Sequence, residues 1–198
     1  MNTDEISEYL NRDLICSKIF YSVYPANKIP KLRSLPALVV CNTDTSSRPG
    51  EHWIVLYVDE KRRVEYFDSM GRFPTKWFKT YLDENCTAWI WNEKQLQSVI
   101  CKFCGHYCIF YCLYRCRGVD VRKVAQMFTK DTSLNDSTTL YVMLKIFIEY
   151  NLKKRLSVMF VKFIRLGFLA NIDRHSLSKL NDKSILQKFE LSLVRAEN

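Results

Sequence analysis

Four side chains of this sequence have the types of an acyl-transfer site: His52, Asp68, Gln97 and Cys104. His52 lies in Gly50-Glu51-His52-Trp53, Asp68 in Tyr66-Phe67-Asp68-Ser69-Met70-Gly71, and Gln97 stands seven residues before Cys104-Gly105. A thiol nucleophile needs an imidazole to take its proton, a carboxylate to orient that imidazole, and an N–H donor for the oxyanion. Cys104 is expected where a helix begins, where unpaired backbone N–H groups and the helix dipole favour a thiolate. Gly105 leaves the backbone open to a substrate carbonyl, and the N–H of Cys104 is itself a candidate oxyanion donor. Cys101 and Cys108 are the decoys.

The base has few candidates, because the chain holds three histidines. His106 is two residues from Cys104 and points away from it on the same helix. His175 sits in a polar, poorly periodic stretch. His52 begins an apolar strand, with Trp53 expected to wall the cleft beside it. Asp68 ends the next strand, and neighbouring antiparallel strands carry such a pair side by side. Taken singly, these residues read as a strand-end histidine, a turn residue before Gly71 and a solvated amide. A rival is a metal or redox centre from Cys101, Cys104, His106 and Cys108. Zinc sites draw ligand pairs from separated knuckles, however, and no second CxxC exists, so no metal is expected.

These residues need a scaffold. Thr3 or Asp4 can cap an N-terminal helix reaching about Asn11. Pro25 and Pro30 punctuate an irregular stretch before a strand at Ala37–Cys41. A polar loop, 42–50, leads to two apolar runs, His52–Val58 and Arg63–Phe67, which read as a hairpin. The first is apolar on both faces, as in a covered central strand. Phe73, Trp77, Phe78, Tyr81 and Leu82 recur at helical spacing, with Pro74 opening the helix. Ala88–Trp91 is a short strand. A helix runs from Cys104 to about Arg117, ended by Gly118. Asp120 caps another, Thr138–Arg155 forms a longer one, and 156–170 reads as an amphipathic basic helix followed by a loosely held tail. The fold class is α+β, a small, mostly antiparallel sheet flanked by helices. Residues 1–155 form the catalytic domain and 156–198 a basic appendage.

At 198 residues and 47% hydrophobic, one sizeable core is within reach. The start, Met1-Asn2-Thr3-Asp4-Glu5, has neither the basic residues nor the apolar run of a secretion signal. Lys162 and Arg165 break the longest apolar stretch, 156–170, so no membrane span is expected. Eight cysteines without such a signal imply reduced thiols. Cys108, Cys112 and Cys116 continue the stripe from Cys104 at every fourth residue and read as core. Of the net charge of +9, a surplus of six lies in 151–198, which holds ten Lys/Arg against four Asp/Glu. Lys153, Lys154, Arg155, Lys162 and Arg165 are the candidate contacts for a polyanion, non-specific DNA before a membrane surface.

Residues 8 to 150, about three quarters of the chain, resemble adenain, the adenovirus-type cysteine endopeptidases, within the wider Ulp/SENP-like group. The resemblance is carried by Asp13-Leu14-Ile15-Cys16, Asn42-Thr43 before Gly50-x-His52-Trp53, Tyr66-Phe67-Asp68 with Gly71, and Gln97 before Cys104-Gly-x-x-Cys108. The order His, Asp, Gln, Cys is that group's order and excludes a papain-like chain. Adenain commonly has Glu where Asp68 stands, and Asp is the Ulp/SENP choice. Residues from Leu156 onward match nothing in the family.

The resemblance implies a thiol endopeptidase of a DNA virus or virus-like element that cleaves precursor capsid or core proteins and prefers glycine beside the cut. Virion and host nucleus are the implied locations, and a monomer is expected. No cofactor is required for the chemistry. The resemblance adds an activating viral peptide, with Cys86 at the position that bonds to it, and DNA as a partner. The alternatives are a deconjugating peptidase acting on SUMO or another ubiquitin-like tail and, in a different class, a DNA-binding scaffold with a decayed catalytic set.

Overall fold

The computed structural model describes residues 1–165, with side chains through Ile146 together with Ile148 and Leu152. Asn2, rather than Thr3 or Asp4, caps the first helix, α1 (Thr3–Arg12). Its side chain accepts from the Glu5 N–H at 2.9 Å, and the Glu5 carboxylate accepts from the Asn2 N–H at 2.8 Å, a reciprocal capping box. α1 buries Ile6 and Leu10, one turn apart, each worth about 1.5–3 kcal/mol relative to exposure.

Among the described residues five strands form one sheet in chain order: β1 (Phe20–Pro25), β2 (Ala37–Asn42), β3 (Trp53–Val58), β4 (Arg63–Phe67) and β5 (Ala88–Trp91). The β2–β3 and β3–β4 pairs are antiparallel, and the edge pairs β1–β2 and β4–β5 are parallel. The antiparallel character expected thus holds for the three central strands, and the sheet as a whole is mixed. β1 falls in the stretch expected to be irregular. It is a half-buried edge strand that depends on β2 for its backbone partners. The β3–β4 turn is held by Asp59, whose Oδ1 accepts from the N–H groups of Lys61 and Arg63 at 2.9 and 2.8 Å.

Both faces of the sheet are covered, which is why β2 and β3 are apolar on successive residues. On one face Leu38, Val40, Val55, Tyr57 and Phe67 pack with α1, α3 (Cys104–Cys116) and α4 (Val121–Gln126). On the other Val39, Cys41, Ile54, Leu56 and Tyr66 pack with Phe78 and Leu82 of α2 (Lys76–Asn85). α2 starts at Lys76 behind Thr75, two residues after Pro74, and Phe73 lies before it against Trp89 and Trp91. Cys108 and Cys112 are core side chains, as their stripe suggested. Asp120 caps α4 by accepting from the Lys123 N–H at 2.9 Å.

The last helix among the described residues, α5 (Thr132–Arg165), is longer than expected in both directions. The Asp131 carboxylate accepts from the N–H groups of Ser133 and Leu134, which sets its start. It continues to Arg165, into the segment 156–170 read as a separate basic helix, of which 166–170 lie outside the described residues. Met1–Phe147 form one compact unit and Ile148–Asn198 group separately. The tail assigned to residues from Asn171 lies outside the described residues. Among the described residues no helix is long and apolar enough to cross a membrane.

Candidate active site

Strand directions bring the site together. His52 immediately precedes β3, and Asp68 and Asn92 immediately follow β4 and β5, so all three emerge at the same end of the sheet. α3 packs on β3 and begins there with Cys104. The tight turn after β4 closes with the Gly71 N–H donating to the Asp68 carbonyl at 2.8 Å. Gly71 has φ +67°, and a Cβ there would meet the Glu93 carbonyl oxygen at 2.7 Å, so only glycine fits this crossing.

His52 Nε2 lies 2.6 Å from Asp68 Oδ1, and both residues are buried. Asp68 Oδ1 also accepts from the Met70 N–H at 2.8 Å, and its backbone is clamped by Asn92, which accepts from its N–H and donates to its carbonyl. With Nε2 engaged, Nδ1 is left for the Cys104 thiol, which lines the same cleft. Burial alone would lower the His52 pKa, but the bonds to Asp68 and Cys104 outweigh it and raise it to about 9. Burial would raise the Cys104 thiol, yet His52 and the N–H groups of Trp53 and Gly105 hold it below its ordinary value. Both directions favour a thiolate–imidazolium pair. Phe103, the N-cap of α3, offers no side-chain cap, so first-turn N–H groups stay available to the sulfur.

Gln97 lines the same cleft, about 840 Å³ in volume, together with His52, Trp53, Met70, Val99 and Cys104. Its Nε2 donates to the Cys101 carbonyl at 2.5 Å and its Oε1 accepts from Ser69 Oγ at 2.8 Å. The segment that carries it is tied to α5. Asn135 Nδ2 donates to the Leu96 carbonyl at 3.0 Å, and Asp136 accepts from the Ser98 N–H at 3.4 Å and from Tyr107 Oη of α3 at 2.9 Å. Ser69, Asn92, Asn135 and Asp136 carried no recognisable signal in the sequence, where each is an ordinary turn or helix-start residue.

Trp53 lines the cleft, and its indole N–H donates to the Met1 carbonyl at 3.2 Å. At Gly105 a Cβ would meet the Met1 side chain at 3.0 Å. Its lack of a side chain accommodates Met1, while its N–H faces the Cys104 sulfur.

Of the decoys, Cys101 lines the same cleft as Cys104, whereas Cys108 does not. Burial and Asp136 push the Cys101 thiol up, and Cys108 is fully buried with its thiol pushed well up. His106 packs on Phe103 and lines a shallow hollow with Glu5 and Glu8, and His175 lies outside the described residues. Among the described residues no group of three or more His, Cys, Asp or Glu could hold a metal ion. Cys86 follows α2 away from the cleft, half-buried, with its thiol raised to about 11 by burial. Lys153, Lys154, Arg155, Lys162 and Arg165 are on the last turns of α5, and their side chains fall outside the described residues.

No protein-family model matches the chain, and no curated protein matches it. Among solved structures, it is similar to the crystal structure of the ASFV pS273R protease, with 20% identity and a TM-score of 0.48 over 70% of this chain. A selenomethionine crystal structure of that ASFV protease matches with 24% identity and a TM-score of 0.37 over 52% of this chain. The chain spans 65% and 43% of the lengths of those two proteins.

Proposed function

We propose that this chain is a cysteine endopeptidase. One observation carries the reading: Cys104, at the uncapped start of α3, lines one cleft with His52, whose Nε2 lies 2.6 Å from buried Asp68. The Cys104 thiolate attacks the scissile carbonyl carbon, and the carbonyl electron pair moves to oxygen. Gln97 and the Cys104 N–H stabilise that oxyanion. The His52 imidazolium protonates the leaving amine as the C–N bond breaks, leaving a thioester on Cys104. His52 then takes a proton from water, whose hydroxyl attacks the thioester and releases acid and thiolate. Gln97→Ala is expected to fold and to lose on the order of 10²–10³ in kcat with KM little changed, measured on peptides that the wild-type chain cuts.

The substrates we assign are precursor capsid or core proteins of a DNA virus, on the resemblance set out from the sequence, with virion and host nucleus as the setting. A deconjugase of ubiquitin-like tails is the second reading, favoured by aspartate rather than glutamate at Asp68. Peptides from viral precursors set against ubiquitin-like precursors separate the two. An activating peptide disulfide-bonded at Cys86 would need that half-buried thiol to be uncovered, because a thiol near 11 holds little thiolate at neutral pH.

The cationic surplus of the last quarter supports non-specific duplex DNA as a partner. Affinity is then expected to fall on the order of 10²–10³ between about 50 and 200 mM salt, as counterions released by some five phosphate contacts are repaid. Neutralising Lys153, Lys154, Arg155, Lys162 and Arg165 together should flatten that dependence in fluorescence anisotropy. An unchanged slope would remove these residues from the interface.

A further inference from the structure

Ser69 is fully buried and next in sequence to Asp68, but its side chain serves another partner. Its Oγ lies 2.8 Å from Gln97 Oε1, and its carbonyl accepts from the N–H groups of Leu96 and Gln97 at 2.8 and 3.0 Å. One residue of the Asp68–Gly71 turn thus binds Gln97 through both backbone and side chain. The opposite end of the Gln97 amide donates to the Cys101 carbonyl at 2.5 Å. Reversing the amide would set Oε1 against that carbonyl, two acceptors in contact, so the Cys101 carbonyl fixes which end is nitrogen. The Ser69 hydroxyl must then donate to Oε1. An amide nitrogen carries two hydrogens, and with one on Cys101 the second is left for the cleft that Gln97 shares with Cys104.

We infer that Ser69 is a positioning residue for the oxyanion site, its hydroxyl holding and polarising the Gln97 amide so that an Nε2 hydrogen faces the reacting carbonyl. The inference rests on Cys104 being an acyl-transfer nucleophile, as argued above. A donor at Oε1 draws electron density toward the oxygen and makes the nitrogen hydrogens better donors, so its effect grows as negative charge develops on the substrate. The same turn then orients both halves of the machinery, Asp68 directing His52 and Ser69 directing Gln97.

The plain alternative is that Ser69 only satisfies a buried amide, and the test is chosen to separate the two. Acylation of the full chain by p-nitrophenyl acetate passes through an oxyanion. Alkylation by iodoacetamide needs the thiolate but builds none. Ser69→Ala is expected to slow acylation of Cys104 about ten-fold, a fraction of the loss of a whole oxyanion donor, while alkylation keeps its rate and pH dependence. In a Gln97→Ala background the same change should cost little more, and Ser69→Thr, which keeps the hydroxyl, should retain most of the rate. Should the alanine variant not fold, Ser69→Gly removes the hydroxyl and gives the same two readouts. Wild-type acylation in the hydroxyl-less variant, a loss fully additive with Gln97→Ala, or a parallel fall in alkylation overturns the inference. A wild-type chain whose Cys104 neither acylates nor alkylates faster than a free thiol overturns the protease reading itself.

Discussion

Replacing Cys104 with alanine is expected to bring peptide cleavage to background, a loss on the order of 10⁶ in kcat, while the chain stays folded. The size of the loss follows from the absence of a substitute among the described thiols. Cys101 is the nearest in sequence, but burial and Asp136 push its thiol up, so at neutral pH it offers little nucleophile. Cys108 is one helical turn away and fully buried in the core. Cys101→Ala and Cys108→Ala should therefore keep substantial turnover, the latter with a small loss of stability from the void it leaves. Turnover of wild-type peptides, with melting temperature as the control for folding, checks all three. Cleavage by the Cys104→Ala chain at the wild-type rate would end the thiol mechanism.

The contrast between that residue and its supporting cast shows which parts of the molecule could be read from sequence. His52, Asp68, Gln97 and Cys104 could be singled out as candidates because their chemistry is rare and their order restrictive. The β3–β4 hairpin, β5, α3 and the Asp120 cap were legible because each rests on local pattern: alternating or continuous apolar residues, or a capping side chain. β1 was hidden because a half-buried edge strand acquires its identity from β2, beyond the polar segment that separates them. The first turn of α5 was hidden because Asn135 and Asp136 are polar yet buried, turned inward by hydrogen bonds to Leu96 and Tyr107. Hydropathy periodicity assigns such residues to a loop. Ser69 and Asn92 were missed for a related reason. Their roles lie in bonds to Gln97 and Asp68, residues 28 and 24 positions away, and no short-range rule reports them.

The second large effect is expected at Asp68, where asparagine preserves shape and removes charge. The turn should survive, since an amide oxygen can still accept from the Met70 N–H as the carboxylate does at 2.8 Å, and the Asn92 contacts are to the Asp68 backbone. The loss falls on His52. Without an anion at 2.6 Å, burial works against the imidazolium with less opposition, and its pKa should drop from about 9. The Cys104 thiol, held down chiefly by His52, should then rise toward the ordinary cysteine value of about 8.5. Turnover is expected to fall on the order of 10³–10⁴, against a shift of a few degrees in melting temperature. The pH dependence gives the sign. In the wild-type chain the pair exists above the lowered thiol pKa and below about 9, so cleavage should rise in the acid range and decline as the imidazolium loses its proton. Iodoacetamide alkylation of Cys104 should already be fast near neutrality, and in Asp68→Asn its rise should move toward 8.5. A wild-type alkylation profile that rises only near that value would mean that the thiol gains nothing from His52, and that Asp68 holds a histidine of structural importance alone.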